Sequence, residues 1–225
     1  MIIPHLVFSH LVADYLLQTN WLAERKARFD FRKPRTWDGL LLHISMVWLV
    51  SLAVLPDYIA LIWPQITLLA LVHMSQDAFK SWTTLKLPIP PALGYFVDQA
   101  LHLLAIVIFQ LAVGQFLVPA PDALQIRLLV GGITLILLTR FYEVSWWANW
   151  PAMYAYMSRW RLWSYTERCT MLVLSLIGLW WLAPLAVLPR VAAMQRQGQP
   201  IRQQPNGTLE LLLGMALSVI LGLAL

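Results

Sequence analysis

The chain is poor in cysteine and in charge. One cysteine, Cys169, stands among 225 residues, which excludes an internal disulfide and any cysteine-based zinc site. Charged residues make up 12% of the sequence and hydrophobic ones 60%, with a mean hydropathy of +0.66. A soluble domain averages about 45–50% apolar and about 25% charged residues, so a soluble domain of any size is excluded. The familiar hydrolase and nucleotide motifs are missing too. There is no HExxH, no GxSxG and no Walker-type glycine loop. No nucleic-acid partner is expected, and the lack of histidine after residue 102 leaves the second half without an obvious reactive group.

Apolar segments are what the chain has in abundance. Residues 39–56, 58–80, 93–118, 124–141, 168–188 and 207–225 each approach the ~20 residues that cross a bilayer as a helix. Segment 2–22 is apolar apart from His5, His10, Asp14 and Gln18. It has no basic n-region and no small-residue cleavage site, so it reads as a retained helix. The expected fold is all-α: a polytopic transmembrane helical bundle of six to seven spans. Residues 1–118 form a four-helix membrane core that holds every histidine. Residues 119–225 supply two or three further helices, with an interfacial aromatic segment around 142–165 that is broken by Pro151.

Charge distribution orients the bundle. Arg25, Lys26, Arg28, Arg32, Lys33 and Arg35 crowd the first loop, and Lys80 and Lys86 mark the next one on that side. The turns around Pro56-Asp57 and Val118-Asp122 carry no Lys or Arg. The positive-inside rule therefore puts 23–38 and 81–92 in the cytoplasm and the N-terminus outside. The same basic collar could hold anionic lipid headgroups, making membrane lipids the expected partners. The polar stretch 190–206 reads as a flexible loop. With seven spans it would be external, against the orientation rule, because it carries Arg190, Arg196 and Arg202. Glu143, Glu167 and Glu210 lie near Arg140, Arg168 or span ends and read as interfacial pairing. Many of the tryptophans fall at predicted helix ends, where an aromatic belt belongs.

Against this background one polar pattern stands out: His10-x3-Asp14, His43, His73-x3-Asp77 and Asp98-x3-His102. A spacing of i, i+4 puts both side chains of a pair on one helix face. Ionisable groups inside a span are costly and mark function by default. The order within the pairs follows helix direction. His precedes Asp on the two helices running inward, and Asp precedes His on the helix running outward. The pairs therefore present an aspartate layer above a histidine layer in the cytoplasmic half.

Imidazole and carboxylate are ligands for zinc and its neighbours. The candidate ligands are His10, Asp14, His43, His73, Asp77, Asp98 and His102, for a divalent metal with zinc first and manganese or iron as alternatives. Asp14, Asp77 and Asp98 are the candidate catalytic carboxylates. Lys80, Gln18, Gln99 and Lys26 are the candidate substrate contacts. An interhelical hydrogen bond would explain one such pair, at about 1–2 kcal/mol or less. Three pairs and a fourth histidine exceed what packing needs.

The stretches HLVADYLLQ (His10 to Gln18), Lys26, HMSQDAFK (His73 to Lys80) and FVDQALH (Phe96 to His102) resemble a bacterial inner-membrane family. That family is catalogued as domain of unknown function 3307, and the likeness covers roughly residues 5–110. It implies a multi-pass inner-membrane location and no reaction. The histidine- and aspartate-bearing helices are more loosely similar to membrane-bound metal-dependent hydrolases. The leading expectation is a hydrolase acting on a lipid or lipid-linked substrate from the cytoplasmic side. The alternatives are a proton- or metal-coupled transporter, and a scaffold in which the pairs are structural.

Overall fold

A computed structural model gives the architecture; it describes residues 2–113, 122–199, 201, 204 and 206–225. No strand occurs among the described residues. The helices are α1 (Ile3–Leu11), α2 (Asn20–Ala27), α3 (Trp37–Ala53), α4 (Ile59–Lys86), α5 (Pro91–Val113), α6 (Ala123–Ile136), α7 (Tyr142–Asn149), α8 (Met153–Leu176), α9 (Leu188–Arg196) and α10 (Gly207–Ala224). The stretches Pro56–Thr84, Pro91–Val113, Ala123–Asn149 and Gly207–Ala224 are long and apolar enough to cross a membrane. Ile3–Leu17 and Trp37–Ala53 are shorter apolar helices. The end of the expected span 93–118, the turn at Val118 and the loop residue Arg202 lie outside the described residues.

The stretch 168–188 is not one helix. α8 ends at Leu176, Gly178 adopts a left-handed φ of 80°, and Trp180–Val187 continues as 3₁₀ helix around Pro184. A left-handed residue ends a right-handed helix, and the proline ring removes the next donor. Segment 2–22 also departs from a plain span. After α1 the chain widens into a π-helical turn over Val12–Leu17, ends with Gln18 extended, and restarts at Thr19, which caps α2.

The chain divides into two compact units, Met1–Ile133 and Thr134–Leu225. In the first, α3 packs on α1, α2 and α4, and α5 packs on α1 and α4. Two apolar clusters bracket the middle of this unit. One joins Ile2, Leu6, Leu55, Ile62, Ile66, Ile106 and Phe109, and the other joins Phe29, Leu40 and Ala78. On α4 the polar residues of the site, His73 and Asp77, lie in sequence between Ile66 of the first cluster and Ala78 of the second. A Cβ on Gly39 would sit 2.6 Å from Arg25 Cβ and 2.8 Å from the Lys26 nitrogen. That contact lets α2 fold back against α3.

In the second unit, α8 packs on α10, and the glycine face of α10 permits a close approach. A Cβ on Gly222 would meet Ser175 Cβ at 2.5 Å. Glu143, Glu167 and Glu210 are all paired with arginines, as expected, and all three are buried in the protein. Arg168 bonds Glu210 and the Leu138 carbonyl. Arg190 Nε pairs with Glu167 at 3.0 Å, its Nη1 donates to Ser164 at 2.6 Å, and both Nη atoms reach Glu210 at 3.3 Å. Glu143 takes Arg140 and Arg161, each at 2.7 Å, and the Tyr165 hydroxyl. Polar groups at helix ends can face headgroups or each other, and these face each other.

Candidate metal centre

All seven candidate ligands are buried or nearly so, and they come from α1, the π-turn, α3, α4 and α5. They form three overlapping groups: His10, Asp14 and His73; His43, His73 and Asp77; and Asp77, Asp98 and His102. In each group the donor atoms lie within 4.8 Å of one another. His43 Nε2 is the hub, 3.2 Å from His73 Nε2, 3.3 Å from Asp14 Oδ1 and 3.3 Å from Asp77 Oδ2. His73 Nε2 lies 3.7 Å from Asp14 Oδ1 and 3.5 Å from Asp77 Oδ2, and His10 Nδ1 lies 3.8 Å from Asp14 Oδ1. Donors held tetrahedrally at about 2.0–2.2 Å from a zinc ion stand about 3.3–3.6 Å apart, so these separations suit a shared cation.

Hydrogen bonding fixes which nitrogen carries the proton on two rings. Gln99 Nε2 donates to Asp98 Oδ2 at 3.2 Å, which turns its Oε1 toward His10 Nε2 at 3.3 Å. A carbonyl oxygen only accepts, so His10 Nε2 is the donor. The bare Nδ1 of a neutral His10 then faces the bare Oδ1 of Asp14. Both atoms are buried and neither has a hydrogen-bond partner. Two facing lone pairs need a cation or a proton between them. On His102, Nδ1 lies 2.8 Å from the Asp98 carbonyl and must donate to it, leaving Nε2 a buried, unpartnered acceptor.

The lysines complete the charge pattern. Lys26 Nζ chelates Asp77, 3.1 Å from each oxygen, and Lys80 Nζ donates to Asp98 at 2.6 Å. Lys26 is held from both ends, because Ser81 Oγ donates to its carbonyl at 3.2 Å. Burial alone would lower the Lys26 pKa, but the carboxylates of Asp77 and Asp14 outweigh it and hold the ammonium above its usual value. Both lysines thus engage carboxylates of the centre, and Asp14 is the aspartate of the three that no ammonium bonds. Gln99 bridges His10 and Asp98. Gln18 lies beyond the helix end with a buried, unpartnered Oε1.

A small cavity of about 20 Å³ borders the cluster, lined by His10, His73, His102, Ser9, Ser51 and Gln76 among others. It has room for about one water. The sequence reading passed over Gln76, Ser9 and Ser51. For Gln76 a signal existed, since it is three residues from His73 and shares that side of α4. The Tyr15–Tyr95 hydroxyl contact at 2.8 Å had no comparable signature.

These motifs sit inside a larger match. The model of a family described as a protein of unknown function, DUF3307, matches residues 2–148. The chain belongs to the DUF3307 family. The match takes in every candidate ligand, both lysines and the helical stretch Ala123–Asn149 almost to its end. No curated protein and no solved structure matches the chain, so these comparisons add no support to the looser likeness to hydrolases.

Proposed function

We propose that this DUF3307 protein is a multi-pass bacterial inner-membrane protein with an intramembrane divalent-metal centre, zinc first and manganese or iron next. We propose further that it hydrolyses an ester of a lipid or lipid-linked substrate from the cytoplasmic side. The observation that carries the reading is the facing pair of bare acceptors, His10 Nδ1 and Asp14 Oδ1, with His43 and His73 around the same oxygen. His10, His43, His73 and Asp14 are the ligand set. Asp77 and Asp98, tied to Lys26 and Lys80, orient the imidazoles, and Gln99 fixes the His10 tautomer. A divalent cation there would acidify a water and polarise the substrate's ester oxygen.

The residues of the chain then divide the remaining work. His102, which lines the one-water cavity and whose Nε2 is bare, is the general base. It takes the proton of the water as the water oxygen bonds to the carbonyl carbon. The bond from that carbon to the leaving oxygen breaks, and His102 returns the proton to the leaving alcohol. Lys80, about one-third exposed at the side chain, sits where an anionic headgroup would arrive. The basic residues of the first loop support a cytoplasmic placement of that side, with the N-terminus outside.

Metal analysis of protein purified in mild detergent tests the centre. About one zinc, manganese or iron per chain is expected, lost in His73→Ala and Asp14→Asn. A metal-free wild type that takes up none of these ions would end the reading. Fatty-acid release from mixed micelles of phosphatidylglycerol and phosphatidylethanolamine, absent in His102→Ala with metal retained, tests the chemistry. A transporter needs a polar path to both faces. The cluster of Ile2, Leu6, Leu55, Ile62, Ile66, Ile106 and Phe109 fills one side of the centre with apolar side chains, which speaks against that rival. Ion flux in proteoliposomes without ester cleavage would favour it.

A further inference from the structure

A second concavity, of about 330 Å³, runs between α4 and α5. Its walls are Leu68, Leu69, Val72, Leu101, Leu104, Ala105, Ile108, Phe109 and neighbours, with Gln65 and Gln76 as the polar members. From Gln65 to Gln76 it follows α4 for about 16 Å at 1.5 Å per residue. Leu69, Gln76 and Ala105 line both this groove and the histidine cavity, so the two meet at Gln76. There Gln76 Nε2 donates to the Leu101 carbonyl at 3.0 Å, and its Oε1 is buried without a partner.

We infer that the groove holds one hydrocarbon chain of a membrane lipid and delivers the polar linkage of that lipid, past Gln76, to the histidine cavity. Ligand sites are concave, largely apolar and tipped with a few polar groups, and this groove has that make-up. Both walls belong to helices long and apolar enough to cross a membrane, so the occupant comes from the bilayer. The groove runs from the centre along the C-terminal part of α5, away from Lys80 and Lys86 at the other end of α4. A lipid with its headgroup at the lysines and its chain in the groove would therefore have its linkage at the centre. An ester has no hydrogen to donate, so Gln76 Oε1 accepts from the water beside that linkage. The inference rests on the proposed hydrolase reading for its chemistry, and on the groove alone for its occupancy.

The test is photolabelling in nanodiscs of phosphatidylethanolamine and phosphatidylglycerol, with a diazirine in one acyl chain of the phosphatidylglycerol. Label should concentrate several-fold on Leu68, Leu104 and Ile108 over Leu71, Leu103 and Leu111, which are exposed on the same two helices but outside the groove. Ala105→Phe, which fills the junction, should cut groove labelling several-fold while bound metal stays unchanged. Ile108→Trp, at a more exposed position, does the same if Ala105→Phe fails to fold. Equal labelling inside and outside the groove, or labelling indifferent to both substitutions, overturns the inference. Concentrated labelling in a metal-free protein upholds the groove and removes the metal reading, so the two fail separately.

Discussion

Lys26 Nζ stands 3.1 Å from both carboxylate oxygens of Asp77, although the two residues lie on different helices and 51 positions apart. The pair is buried, with Asp77 1% exposed. Removing one partner of such a pair leaves an uncompensated charge and costs about 3–5 kcal/mol. Lys26→Met should therefore lower the melting temperature in detergent sharply, and Lys26→Met with Asp77→Asn should recover much of the loss. A Lys26→Met protein that melts like wild type would show that the pair does not form.

Gly39 governs where Lys26 can reach. A methyl group there would press on the backbone of Arg25 and Lys26, and such overpacking costs about 1–3 kcal/mol. Gly39→Ala should lower thermal stability by that order and weaken the benefit of Lys26, so that the Lys26→Met penalty shrinks in the Gly39→Ala background. Additive penalties in that double variant would contradict the account.

In the proposed centre, Gln99 would act on the metal through His10. Gln99→Leu removes the acceptor that fixes the His10 tautomer, and loss of such an outer partner typically costs about 10–100-fold in metal affinity. Competition of the purified variant against a zinc chelator measures the change. An unchanged affinity would remove His10 from the ligand set.

The arginine–glutamate network of the second unit should behave as structure. Glu210→Gln strips the charge that Arg168 and Arg190 share and should cost about 3–5 kcal/mol. The folded fraction should keep its full metal content. Loss of metal from well-folded Glu210→Gln protein would tie the network to the centre after all.

How much of this was legible in the sequence depends on what each signal travels with. His10, His73 and His102 could be read because helical spacing is periodic, and the reversal at Asp98-x3-His102 revealed helix direction. Lys26 carried no such period, because its position follows from the tight contact at Gly39, which only three-dimensional packing displays. The π-turn after α1 and the break at Gly178 were hidden within apolar runs, where hydropathy registers composition and not winding. For Glu143, Glu167 and Glu210 the nearby Arg140 and Arg168 could be read as partners, but Arg161 and Arg190 could not, because they reach the glutamates only through packing.

The first helix has nine α-helical residues and six more in its π-turn, about 22 Å at 1.5 Å per residue, and α3 has 17, about 26 Å. Both fall short of a hydrocarbon core about 30 Å thick. A bilayer meets a short span by thinning locally, at a fraction of a kcal/mol per ångström. His10, Asp14 and His43 ride on these two short helices. Were both to cross a bilayer, it would be pinched where the chain keeps its ionisable groups, and headgroups there would lie several ångströms nearer to them than in an undistorted bilayer.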